Sequence, residues 1–285
     1  MISSSAVETA ISHIKHAAAA ISESPYRRGN ELIFPEEEEL VVTGDLHGQV
    51  ASFERMVEEA DLARHGQRHL LLQELVHGKK TTEAADESSI LIERAAALVT
   101  KFPTRVHILM GNHEMAEFTG RLMMKNSVII NELFKESLAE RYGERAEEMT
   151  AYLHRLWKAL PLAARTMNRV FVSHSTPSGK MLSGFDAEVL KRSLDVTDFL
   201  REGGSAYALL WGRDFSEETA ERLRDILDAD FFIVGHTPCE EGYKTPNSRH
   251  IILDSQGPEG KYLPVPLRGA LTYEQLAGRI RPIWE

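Results

Sequence analysis

The chain is 285 residues long, 42% hydrophobic and 27% charged, with a single cysteine, Cys239; that is enough material for a large core without any disulfide. Its 33 Lys and Arg against 43 Asp and Glu leave a formal charge of −10, which argues against nonspecific nucleic-acid binding, since that rests on neutralising phosphates with basic side chains. No apolar run nears the roughly 20 residues of a bilayer span, and the short run at 17–21, preceded by His13, Lys15 and His16, is not a signal peptide. The expectation is a cytoplasmic protein with no nucleic-acid and no membrane partner.

In chain order, Val7, Ile11, Ile14, Ala18 and Ile21 recur at helical spacing, predicting a helix over 7–21 that packs on the body, with a polar lead-in to residue 30. The acidic run 36–39 reads as a solvated strand entrance, because adjacent carboxylates point different ways. A strand at 40–43 follows, then a helix over 49–64, a strand at 69–72, a helix over 86–101 and a strand at 105–110. Residues 127–160, rich in Glu, Arg, Leu and Ala, read as a helical hairpin or cap inserted near the cleft. Strands return at 169–172, 231–234, 250–253 and 262–266, with helices over 186–193 and 217–228. Short apolar strands alternating with helices define an α/β layered fold. With no internal repeat, low-complexity segment or linker, residues 1–285 read as a single domain.

The chemistry-bearing residues lie where strands end. Gly44-Asp45-Leu46-His47-Gly48 follows the first strand and Gly111-Asn112-His113-Glu114 a later one; His174 and His236 close two more. Ligands bind at the carboxyl ends of strands in α/β sheets, so the fold can gather groups spread over nearly 200 positions. Carboxylate, amide oxygen and imidazole together suit a divalent metal such as Mn, Fe or Zn rather than a thiolate zinc site. Gly44, Gly48, Gly111 and Gly235 permit sharp turns and close backbone approach. Any one of these motifs alone is most often a turn; their joint occurrence, in order, is not.

These elements resemble the calcineurin-like metallophosphoesterase superfamily, and within it the chain is most similar to the serine/threonine phosphoprotein phosphatase branch. Lys101-Phe102-Pro103, Leu209-Leu210-Trp211-Gly212-Arg213 and Glu241-Gly242-Tyr243 add to the likeness, which runs over about 40–267. The resemblance implies a two-sheet β-sandwich flanked by helices and two divalent ions, with Mn²⁺ ahead of Fe, Zn and Mg. Asp45 and His47 resemble ligands of the first ion; Asn112, His174 and His236 resemble those of the second. Two ions about 3.5–4 Å apart clamp a phosphate and acidify a bridging water, whose hydroxide attacks phosphorus. His113 resembles the group that protonates the leaving oxygen. Arg213 resembles a phosphate-gripping arginine, with Asn112 and Tyr243 beside the substrate.

The family's second signature, Gly-Asp-x-x-Asp-Arg-Gly, is replaced by Gln73-Glu74-Leu75-Val76-His77-Gly78-Lys79. Glu74 takes the bridging carboxylate's place with one more methylene and is expected to ligate. His77 stands where a carboxylate supports the catalytic histidine, and an imidazole cannot stabilise an imidazolium as a carboxylate does. Gly78 stands where a phosphate-binding arginine is expected, with Lys79 or Lys80 nearby. Asp254 is a candidate to orient a ligand histidine, and Trp211 is expected to pack near Arg213 and shape the pocket wall. Cys239, His107 and His250 read as packing residues, and His65 and His69 carry no assigned role.

The leading reading is a metal-dependent phosphatase using a dinuclear site and a metal-bridging hydroxide, on phosphoserine or phosphothreonine proteins. Small phosphate esters and dinucleoside polyphosphates remain open as substrates. A metal-binding pseudophosphatase that recognises a phosphorylated partner is the rival from another class. Oligomeric state is not legible.

Overall fold

The computed structural model describes residues 1–78, 86–125 and 127–284. In chain order the first half holds α1 (Ser4–Ser22), β1 (Arg27–Arg28), β2 (Glu31–Phe34), β3 (Glu39–Asp45), α2 (Val50–Ala60), β4 (Arg68–Gln73), α3 (Ser88–Lys101), β5 (Val106–Leu109) and α4 (Asn112–Thr119). A two-strand ribbon, β6 (Met124–Lys125) and β7 (Val128–Ile129), leads into α5 (Ile130–Tyr142) and α6 (Ala146–Ala159). The second half holds β8 (Ala163–Thr166), β9 (Val170–Ser173), α7 (Val196–Leu200), α8 (Ser205–Trp211), α9 (Glu217–Leu227) and β10 (Phe231–Val234). Last come β11 (Tyr243–Lys244), β12 (His250–Leu253), β13 (Lys261–Pro266), α10 (Tyr273–Ala277) and β14 (Arg281–Pro282).

Seven strands pair in the order β1-β2-β8-β9-β10-β12-β11 and five in the order β14-β13-β3-β4-β5. The alternation of side chains along each strand explains why these sheets stack. Leu40 and Val42 of β3, Leu71 of β4 and Leu263 and Val265 of β13 meet Leu32, Phe34, Val170, Val172, Ile233 and Ile251 of the other sheet in one core. Their neighbours Val41, Leu70 and Leu72 point the opposite way, into a second core shared with α1, α2, α3 and α6. Strands buried on both faces need continuous apolar runs, as Leu40-Val41-Val42 and Leu70-Leu71-Leu72 provide.

β3, β4 and β5 are mutually parallel, as are β9, β10 and β12. Both parallel sets end at one edge of the sandwich. There a bridge between Asp45 and Asp254 joins the two sheets. Gly44 makes that approach possible, because a Cβ on it would strike the Leu253 backbone.

Several elements differ from the sequence reading. α2 stops at Ala60 because Asp61 turns left-handed at φ 39°, four residues before the expected end. The stretch 186–193 forms only a single 3₁₀ turn, Ala187–Leu190, with the Asp186 side chain accepting from the Glu188 N–H. Three of the four carboxylates of 36–39 are partnered rather than simply solvated: Glu37 meets His69 at 2.6 Å, and Arg68 pairs with both Glu38 and Glu39. Residues 127–160 are helical, but the pair α5 and α6 packs into the helical layer through Phe134, Leu138, Met149, Leu153 and Trp157. Among the described residues no helix is long and apolar enough to cross a membrane.

Candidate metal centre

The turns after β3, β4, β5, β9 and β10 carry the expected ligands, and the fold draws them together. Backbone bonds knit the first two turns: the N–H groups of Leu46 and His47 donate to the Glu74 carbonyl, and Gly48 N–H to that of Leu75. Of the eight non-glycine residues with positive φ among those described, four are His47, Glu74, His77 and His236. Such left-handed conformations cost energy for residues with a Cβ, and they persist only where surrounding structure enforces them. Here His47, Glu74 and His236 take that conformation around the candidate metal site, and His77 takes it beside His113.

Asp45 accepts the His236 N–H on both carboxylate oxygens, at 3.0 and 3.1 Å. Gly235 lets the oxygen come that close, since a Cβ there would collide with Asp45 Oδ1. His47 donates or accepts through Nδ1 at the Val76 carbonyl, 2.8 Å away; with a carbonyl as partner it must be the donor. Its Nε2, 3.8 Å from Asp45 Oδ2, is then the nitrogen that could ligate a metal, with the carbonyl contact orienting the ring as for a metal-bound imidazole. Asn112 Oδ1 lies 2.7 Å from His174 Nε2 and 2.9 Å from His236 Nδ1. Glu74 Oε1 accepts the His113 N–H at the start of α4, where the helix dipole favours a carboxylate. Its Oε2 lies 2.8 Å from His174 Nε2, off the hydrogen-bonding direction.

Two clusters of ligand atoms form, each within 4.8 Å: one from Asp45, Glu74 and His174, the other from His47, Glu74 and His113. Glu74 belongs to both, as a bridging carboxylate must. Among the described residues, His174 Nδ1, His236 Nε2 and Glu74 Oε2 are buried without a hydrogen-bond partner. Buried orphan atoms are costly, and divalent cations would satisfy them; the residues present fit such ions.

The electrostatics agree. Burial pushes the Asp45 carboxyl up to about 6, against the pull of His174 and the His236 N–H. Burial, then the Asp45 charge, pushes Glu74 well up. Burial and the neighbouring Glu74 push Glu114 up to about 8. Burial also holds the imidazoles of His113, His174 and His236 below the usual histidine range. Neutral imidazoles are what metal binding requires, and crowded carboxylates resist ionising until a cation compensates them.

Asp45, His47, Asn112, His113, Arg213, His236 and Tyr243 line a cleft of about 920 Å³. Arg213 is exposed and donates to the His236 carbonyl at 3.2 Å. Glu240, Glu241 and Glu259 share the outer wall with Lys244. None of the wall comes from α5 or α6 among the described residues, so the region expected as a cap stands behind the site. Lys79 and Lys80 lie outside the described residues. Asp254 does not orient a histidine: it accepts the Cys239 N–H and that of Gln256, because its strand delivers it to the loop after β10. Trp211 packs edge-on to His236 at 5.9 Å and stacks on Tyr207. Cys239 is buried, and its thiol is pushed up to about 11.

Sequence reasoning gave no role to Glu114 or Glu117. Glu114, fully buried, accepts the N–H groups of Leu75, Val76 and Gly111, pinning the turn that presents Glu74. Glu117 meets His77 Nε2 at 2.7 Å. Its signal was the four-residue spacing from His113 along one helix face.

A family model described as calcineurin-like phosphoesterase matches residues 39–240. The chain is 24% identical over 220 residues to a serine/threonine-protein phosphatase of Caenorhabditis elegans, covering 71% of this chain and 44% of that protein. It thus spans less than half of that relative's length. A protein serine/threonine phosphatase structure from Saccharomyces cerevisiae superposes with a TM-score of 0.71 at 18% identity, over 98% of this chain and 90% of that one. A cold-active protein-tyrosine phosphatase of a psychrophilic Shewanella species gives 0.58 at 15% identity, over 86% and 78%. At these identities the structural likeness speaks for the fold.

Proposed function

The chain belongs to the calcineurin-like phosphoesterase family, and from that premise we propose that it is a divalent-metal-dependent phosphatase. The observation that carries the reading is Glu74, whose carboxylate completes both ligand clusters. When bound, two cations, Mn²⁺ first among them, would polarise phosphate oxygens and acidify the attacking water. Asp45, His47, Asn112, His174 and His236 hold them with Glu74. Arg213 grips the phosphate with its planar guanidinium, Asn112 and Tyr243 flank the substrate, and His113 delivers a proton from Nε2 to the leaving oxygen as the P–O bond breaks.

We place the substrate among phosphoserine and phosphothreonine proteins, a reading supported by the phosphatase relatives. Small phosphate esters and dinucleoside polyphosphates are the alternatives. The acidic outer wall, Glu240, Glu241 and Glu259 against Lys244 and Arg213, favours a phosphate whose flanking groups are neutral or basic. The pseudophosphatase reading draws on His77 and Gly78, where the family's supporting carboxylate and arginine are missing.

Elemental analysis coupled to turnover of an aryl phosphate with added Mn²⁺ tests the proposal. Two ions per chain and hydrolysis that vanishes in Asp45→Asn are expected. Stoichiometric metal and tight phosphopeptide binding without hydrolysis would establish the rival. Full activity in the Asp45→Asn variant would sink the site itself.

A further inference from the structure

His77 occupies the place of a carboxylate, yet the site has not lost the negative charge behind its catalytic histidine. His77 Nδ1 lies 2.7 Å from His113 Nδ1, and His77 Nε2 lies 2.7 Å from Glu117 Oε1. The same oxygen accepts from Asn131 Nδ2 at 2.7 Å, and the Phe134 ring stands edge-on to His77 at 5.8 Å. The His77 side chain is almost wholly buried, while that of Glu117 is largely so. His113, His77 and Glu117 form a chain of three, braced from behind by α5.

Hydrogen-bond roles along that chain follow from one fact: a carboxylate only accepts. His77 must therefore donate Nε2–H to Glu117, which leaves its Nδ1 as a lone pair. His113 must then donate its own Nδ1–H to His77. The Nε2 of His113 is left for the cleft, as the atom that takes up and delivers a proton. We propose that Glu117 is a positioning residue which, acting through His77, sets the tautomer of His113 and supplies from one residue further away the negative charge that a carboxylate at position 77 would supply directly. The pair α5 and α6 then has a role in the site although it lines none of the cleft: Asn131 and Phe134 hold the relay in place.

The relay serves the hydrolysis proposed above, so the test separates the two. Glu117→Gln is nearly isosteric and removes the charge, while its amide oxygen still accepts from Asn131, whose own Oδ1 is taken by the Met123 N–H, and from His77. General acid–base assistance contributes about 10²–10⁴ in rate, and losing a group that acts through another should cost about 10- to 100-fold in kcat on phenyl phosphate. KM should stay within about twofold, because no phosphate contact changes. The loss should shrink on p-nitrophenyl phosphate, whose leaving group needs little protonation. His77→Asp in the Glu117→Gln background should restore kcat, since it puts a carboxylate directly on His113; position 77, at φ 60°, is one that Asp tolerates.

A Glu117→Gln variant as fast as wild type on phenyl phosphate would overturn the relay, as would a double variant no better than the single one. If the wild-type chain hydrolyses neither ester with Mn²⁺ bound, the phosphatase reading fails. Long-range nitrogen–proton correlation spectra of the imidazoles still decide the relay in that case. His77 protonated at Nε2 and His113 at Nδ1 is the expected pattern; the opposite tautomers in wild type would refute it.

Discussion

The metal-free protein should become less stable as pH rises from about 6.5 to about 8, opposite in sign to the trend that buried histidines produce below about 6.5. Glu114 titrates near 4.5 when unfolded but is pushed up to about 8 in the fold. Across that window the folded chain keeps a proton that the unfolded chain has lost. The unfolded state thus binds fewer protons, and stability falls by about 1.4 kcal/mol per pH unit for each such group. Over the window Glu114 accounts for about 2 kcal/mol by this linkage, and Glu74, also raised, adds in the same direction. His113, His174 and His236 are lowered, so their contribution rises with pH only up to about 6.5, where both states become neutral. A change of 2 kcal/mol in a chain of this size lowers Tm by about 3 °C. Denaturant unfolding in EDTA at several pH values reads the slope. Saturating Mn²⁺ should flatten or reverse it, because the cation replaces the proton on the ligands and binds better as they ionise. Glu114→Gln should lower absolute stability, since its amide faces the Gly111 N–H, yet flatten the EDTA slope. An EDTA-treated protein as stable at pH 8 as at pH 6.5 would refute the reasoning.

Glu74→Gln should reduce bound metal from two ions to one per chain, measured by elemental analysis; two ions retained would show that Glu74 is not the bridge. Gly235→Ala places a Cβ against the Asp45 carboxylate and should cost about 1–3 kcal/mol by overpacking, with weakened metal binding. Wild-type stability in a urea titration would contradict that contact. Arg213→Lys keeps the charge but loses the planar fork, so KM for an aryl phosphate should rise by about tenfold while kcat changes less. Its stability should stay within about 0.5 kcal/mol of wild type, as for other exposed positions; a KM unchanged in this variant would remove Arg213 from the substrate contacts.

Asp45, His47, Asn112, His174 and His236 were legible because each is local to a strand end, and a strand end is visible as an apolar run stopping at glycine or serine. Glu74 follows a strand that stops at Gln73, and it was legible through its place in the diverged second motif. The short apolar strands alternating with helices likewise announced a layered α/β fold, and the resemblance to the family implied a sandwich with helices outside. Helix ends were less legible: a left-handed Asp61 cuts α2 short, a choice made by backbone conformation and not by apolar spacing.

What the sequence by itself determined was therefore a set of candidate ligands and the layered α/β plan, since both depend on patterns a few residues long. What only the tertiary structure decided was how distant parts meet. Asp254 joins Asp45 across two sheets yet serves the Cys239 loop, and residues 127–160 stand behind the site rather than over it. Glu117 reaches His77 across 40 positions of chain. Such pairings depend on where α4 and the turn after β4 come to rest, which packing of the whole core sets and no local spacing encodes.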